Sequence, residues 1–171
     1  LKFTSPVIPD DLYMLSRPIS YLEVTKDTCD SRRHEVSVRV EVSEEICMNL
    51  KGDSAVEIEK LELGKYSSIK MGSTEQKVLE RNGDDLRIEW GYFYLTGLGE
   101  TYSRVDSEGV NFVGIKSEVK SSLVLTFAYD DIQSIQYFGK NLKSYWNKDG
   151  AKITDEILKA HGDYRHALRK C

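Results

Sequence analysis

No stretch of the sequence approaches the roughly 20 consecutive apolar residues that a membrane-crossing helix requires, which excludes a helical membrane span. Cysteine is scarce: Cys29, Cys47 and Cys171 are odd in number and show no CxxC spacing, which excludes both a zinc site and a disulfide framework. A Cys29–Cys47 bridge is the alternative to buried free thiols, and free thiols are common in cores. Histidine is equally sparse. His34 precedes an expected strand, while His161 and His166 stand five apart on an expected helix, a spacing that does not stack them on one face, so no metal is expected. There is no block of Lys and Arg with interleaved aromatics, and the net charge is −4, which argues against nucleic acid as a partner. No GxSxG elbow and no GxxxxGK loop occur, so nucleophilic catalysis and nucleotide-phosphate binding have no motif, and no cofactor is expected.

What remains is a chain of 171 residues, the length of one compact domain with a real core. The three prolines, Pro6, Pro9 and Pro18, all fall near the start and divide it into short extended pieces, a strand and an irregular loop before a second strand at Ile19–Val24. Residues His34–Val42 alternate strictly, with Val36, Val38, Val40 and Val42 on one side, as a half-buried antiparallel strand does. The polar stretch Asp27–Arg33 joins these two strands, which are expected to pair. Ile46–Leu50 reads as further β-structure, Lys51-Gly52-Asp53 as a turn, Ala55–Leu63 as an alternating strand with a charged outer side, and Tyr66–Met71 as another.

Asn82-Gly83 is a strong turn signal, since Gly accepts positive φ without steric cost and Asn tolerates it. A strand is expected just after it. Leu86, Ile88, Trp90, Tyr92 and Tyr94 then share one side, and Arg87, Glu89, Gly91, Phe93 and Leu95 the other. Trp90, Tyr92 and Tyr94 fit a core-facing stripe better than an exposed sugar-stacking platform, because aromatics at strand spacing usually fill cores. Gly97–Gly109 reads as a loop, followed by strands at Val110–Ile115 and Ser122–Tyr129, the latter apolar enough to be central.

Past Asp131 the pattern changes. Ile135, Phe138, Leu142, Tyr145 and Trp146 recur at mixed helical spacing, and Thr154 is placed to cap a terminal helix with Asp155 and Glu156 in its first turn. Ile157, Leu158, His161, Tyr164, Ala167 and Leu168 would form its apolar face. The fold class expected is mainly β, an antiparallel sandwich over residues 1–131, with a helical extension or connector over residues 132–171.

Two acidic doublets, Asp84-Asp85 and Asp130-Asp131, are the only candidates for a polar site. Neighbours in an extended chain point to opposite faces, so neither doublet alone supplies a convergent acid and base, and turn formation or capping is the commoner role.

Three stretches, FTSPVIPDDLYMLSRPISYL, NGDDLRIEWGYFYL and LTFAYDDIQSIQYFGKNLKSYW with the helix after it, resemble the β-rich N-terminal region of the glutaminase A family of bacteria and fungi. The resemblance implies a parent enzyme, secreted or periplasmic, that hydrolyses L-glutamine to L-glutamate and ammonia, with a six-hairpin glycosidase-like helical domain after the β-rich region. It implies that this chain is a piece lacking upstream β segments and any targeting signal, and ending in the helical connector. No catalytic residue carries over to a position here. The partner implied is the helical domain of the same parent, with Tyr137, Tyr145 and Trp146 expected at the interdomain contact. Loss of upstream strands would also leave an open sheet edge that invites dimerisation of the piece. The alternative reading is a carbohydrate-binding or support domain of a glycoside-hydrolase-like parent, because the helical architecture is shared with such enzymes.

Overall fold

The computed structural model describes residues 1–30, 32–50, 52, 54–81, 83–84 and 87–171. Lys51 and Asp53 of the first expected turn, Asn82 of the second, the candidate acid Asp85, and Leu86 lie outside the described residues.

The chain is mainly β, in antiparallel sheets, with one substantial helix at its C-terminal end. β1 (Lys2–Thr4) leads to a short helix α1 (Leu12–Ser16), where an irregular loop was expected. Asp11 starts that helix, its carboxylate accepting from the Met14 N–H at 3.0 Å. β2 (Ile19–Thr25) and β3 (Ser37–Ser43) follow, then a 3-10 turn at Glu44–Ile46 in place of the expected extension of β-structure over Ile46–Leu50. β4 (Val56–Leu63) and β5 (Tyr66–Ser73) form a hairpin, as their alternation predicts. β6 (Tyr92–Gly97) begins later than the sequence pattern indicates: Trp90 and Gly91 form a bend, because Gly91 turns at φ +87° against the end of a neighbouring strand.

β7 (Glu100–Val105) occupies the stretch expected to be a loop. Leu98 and Gly99 make a tight bend there, and β7 pairs with β8 (Asn111–Glu118). β9 (Ser122–Asp130) is central, as its apolar run predicts. Residues 132–144 are not helical: β10 (Ile135–Tyr137) and β11 (Lys140–Leu142) form a hairpin, and a 3-10 turn then spans Tyr145–Asn147. The terminal helix α2 spans Ile153–Lys170 and starts one residue ahead of Thr154, so Thr154 lies inside it and is not its cap.

The large sheet runs β1-β2-β9-β6-β5-β4 and the small one β3-β8-β7. β2 and β3 therefore do not pair, and the polar linker between them crosses from one sheet to the other. Valines 38, 40 and 42 of β3, with Val113 and Ile115 of β8, pack onto Leu22, Ile69, Met71, Phe93, Leu95 and Leu125 of the large sheet, forming the sandwich core. Cys47 is a free, buried thiol in this core, and Cys29 is free and exposed, so they form no bridge.

The outer face of the large sheet is also apolar. Ile19, Tyr21, Tyr94 and Ala128 meet Ile153, Ile157, Ala160 and Tyr164 of α2 together with Trp146. Fully burying a residue such as Ile157 contributes about 2 kcal/mol. Leu158, expected on the same helical stripe, is exposed, and Glu156 is buried instead. The molecule is thus a two-sheet sandwich with a helix as a third layer on the larger sheet.

Candidate functional site

β6 sits between these layers and answers the purpose of its aromatics. Phe93 and Leu95 enter the sandwich core, while Tyr94 enters the helix-side cluster and Tyr92 packs against its edge. Tyr92 stands opposite Gly72, whose missing side chain leaves room for the ring: a Cβ there would lie 2.5 Å from Tyr92 Cδ1. Lys70 Nζ lies 4.0 Å from the Tyr92 ring centroid and pairs with Glu57 and Glu59 at 3.4 and 3.2 Å. Trp90 donates its indole N–H to Gln133 O at 3.0 Å, and Tyr129 donates to Trp90 O at 2.7 Å. Trp90, Tyr92 and Tyr94 therefore do not form an open platform for a sugar ring.

Of the candidate acids, Asp130 is the best placed. It ends β9 opposite Tyr92, half-buried, and its carboxylate accepts from the Ile132 N–H at 3.1 Å. Burial raises its pKa, with Asp131 adding to the rise and the Ile132 N–H and Lys143 opposing it. Ile132 adopts φ +59°, rare for a β-branched residue, and Gln133 N–H bonds back to Asp131 O. The Asp130-Asp131 doublet thus turns the chain out of β9 into the β10–β11 hairpin. Asp84 is exposed, and among the described residues no hydrogen bond or ion pair joins it to Asp130 or Asp131. Among the described residues no convergent pair of acids with a nucleophile is assembled, and no group of three or more His, Cys, Asp or Glu is placed to hold a metal.

The three residues expected at an interdomain contact separate. Trp146 is buried within this chain's own helix-side cluster, which corrects that expectation for it: the 3-10 turn tucks its ring beneath α2. Tyr137 and Tyr145 are exposed, and Phe138 between β10 and β11 is 89% exposed at φ +45°. Tyr137 and Phe138 meet edge to face, with centroids 4.5 Å apart. With Ile135 and Leu142 also exposed, the hairpin presents an apolar surface.

A family model described as a domain of unknown function, DUF5127, matches residues 1–114 and, in an overlapping second segment, 105–171. The chain belongs to the DUF5127 family. No curated protein matches it. Among the described residues of this DUF5127 chain, no helix is long and apolar enough to cross a membrane.

Two features of the DUF5127 chain have no sequence signature. One is the polar seam that fixes α2: Arg17 donates to both oxygens of Asp163 at 2.8 and 3.1 Å and to Tyr21 Oη at 3.0 Å, and Tyr13 donates to the buried Glu156. The other is His161, which stacks on Tyr66 and lies 3.2 Å from Thr126 Oγ1. These residues meet across more than 90 positions of sequence in the case of Tyr66 and His161, so local pattern does not announce them.

Proposed function

We propose that this chain is the accessory β-sandwich domain of a larger hydrolase of the glutaminase type, scaffolding a helical domain of the same parent. The parent reaction would add water to the side-chain amide of L-glutamine, giving L-glutamate and ammonia, in a secreted or periplasmic setting. The observation that carries the scaffold role is the apolar hairpin of Tyr137, Phe138 and Leu142, which this chain leaves uncovered. An amide hydrolase requires an activated nucleophile or water, donors for the oxyanion and an acid for the leaving ammonia. The described residues assemble no such set, which supports placing the chemistry outside this domain.

The test is ammonia release from glutamine by this chain and by the full-length parent at matched concentration. Activity confined to the parent is the expected result. Activity of the isolated chain would overturn the accessory role, and an inactive parent would overturn the glutaminase assignment.

A further inference from the structure

β2 leaves the large sheet at Thr25 and the chain reaches the small sheet at Ser37, while β8 leaves the small sheet at Glu118 and returns to the large one at Ser122. The pairing places both crossovers at one end of the sandwich, since Thr25 stands opposite Ser122 and Ser37 opposite Glu118. Two backbone bonds stitch them together: Lys26 N–H to Ser121 O at 3.1 Å, and Val119 N–H to Val36 O at 2.8 Å. Between them lies a cleft of about 510 Å³, within the size range of small-molecule sites.

Lys26, Arg33, Lys116 and Lys120 line this cleft with His34, against the carboxylates of Glu35 and Glu118. Several cations elsewhere in the molecule are paired with carboxylates. Lys70 is matched by Glu57 and Glu59, Arg104 by Glu41, Arg17 by Asp163 and Lys159 by Glu156. Among the described residues, no ion pair joins any of the four cleft cations to a carboxylate. Lys26 instead donates to His34 O at 2.8 Å, which holds the wall carrying Arg33 and His34. Lys116 stands directly opposite Arg39 across the β3–β8 pair, a like-charge neighbour, with Glu100 opposite on β7. A concave surface with an excess of one charge focuses its field on counter-ions, and Thr28 and Ser37 add hydroxyl donors.

We propose that this cleft binds a small anionic ligand bearing two or more carboxylate or phosphate groups, held by Lys26, Arg33, Lys116 and Lys120. A single exposed lysine is a weak and non-selective anion contact. Four around one cavity engage several oxyanions at once and select against neutral ligands. The site is independent of the accessory-domain reading, and its test does not involve glutamine hydrolysis.

The experiment is a backbone-amide NMR titration of the chain at fixed ionic strength with citrate, with pyrophosphate, and with glucose as the neutral control. The expected result is saturable shifts confined to residues 26–28, 33–37 and 116–120 with citrate or pyrophosphate, and none with glucose. Comparing the two anions separates a carboxylate site from a phosphate site. The K116E/K120E variant should bind about tenfold more weakly or worse, and R33Q/K120Q, which leaves the β8 strand untouched, should weaken binding without altering the remaining spectrum. Linear, unsaturable shifts, equal shifts around unrelated cations such as Lys148, or undiminished binding by folded R33Q/K120Q would overturn the proposal.

Discussion

The ring of Tyr66 lies flat on that of His161, with centroids 4.0 Å apart and planes 13° from parallel, so an aromatic at the start of β5 clamps the middle of α2 to the sheet. Burial, followed by the nearby Lys65, holds the His161 pKa down to about 4. The imidazole is therefore neutral in the folded chain at pH 7, whereas in the unfolded chain it titrates near the ordinary value of about 6.5. Between these values the unfolded state binds more protons. The stabilisation from a neutral His161 is thus present above about pH 6.5 and is lost as pH falls toward 4. Urea unfolding of the wild type and of H161Q at pH 7, 5.5 and 4.5 should show the wild type losing on the order of 2 kcal/mol more than the variant by the lowest pH. Parallel pH profiles would remove His161 as the cause.

Gly91 turns at φ +87°, and a Cβ on it would lie 2.2 Å from Asp130 O. G91A should therefore cost about 2 kcal/mol or more, through both strain and displacement of the β9 end. Gly162, with open space around its Cβ position inside α2, is the matched opposite, and G162A should gain roughly 0.5–1 kcal/mol. Thermal melts of the two single variants check both signs.

Arg17 holds Asp163 and Tyr21 with a side chain that is 2% exposed, whereas Asp163 remains 32% exposed. R17M should cost about 3 kcal/mol, because it leaves a partly buried carboxylate without its partner. D163N should cost at least as much, because it leaves the guanidinium, with a side chain only 2% exposed, without its counter-charge. In a double-mutant cycle by denaturant unfolding, R17M/D163N should fall well short of the sum of the single losses; simple additivity would show that the pair is not coupled.

Cys47 donates its thiol hydrogen to Glu44 O at 3.2 Å inside the sandwich core, and burial, with the Glu44 charge adding, pushes its pKa up to about 12. Cys29 and Cys171 are exposed. A thiol reagent at pH 8 should modify two sulfhydryls quickly in the folded chain and the third only in denaturant. Three equally fast reactions would show that the core opens around Cys47.

Strands with one wet face could be read from their alternation, and the central β9 from its nearly continuous apolar run. β3 and β4 alternate because charged residues on one side meet water while Val38, Val40 and Ile58 on the other pack inward. β6 was legible as aromatic but not as a strand covered on both faces, since the helix over its second face comes some 60 residues later. The hairpin after β9 was hidden because Ile132 and Phe138 take positive φ, a conformation sequence pattern assigns to Gly or Asn. β7 was masked by the glycines flanking it. Of the candidate site, the placement of Asp130 at a strand end was legible. The seam of Arg17, Asp163 and Glu156 was not, because polar residues on a helix look solvent-facing until a distant partner is brought to them.

That seam joins segments far apart in sequence: Tyr13 reaches Glu156 across 143 positions and Arg17 reaches Asp163 across 146. During synthesis, Tyr13, Arg17 and Tyr21 emerge well before α2 and have no partners on it until that helix follows. The outer face of the large sheet, with Tyr94 and Ala128 on it, stays uncovered for the same interval. Covering of that face therefore waits on the 18 residues of α2, and a ribosome stalled before them holds out a sheet with one apolar side still open to any neighbour.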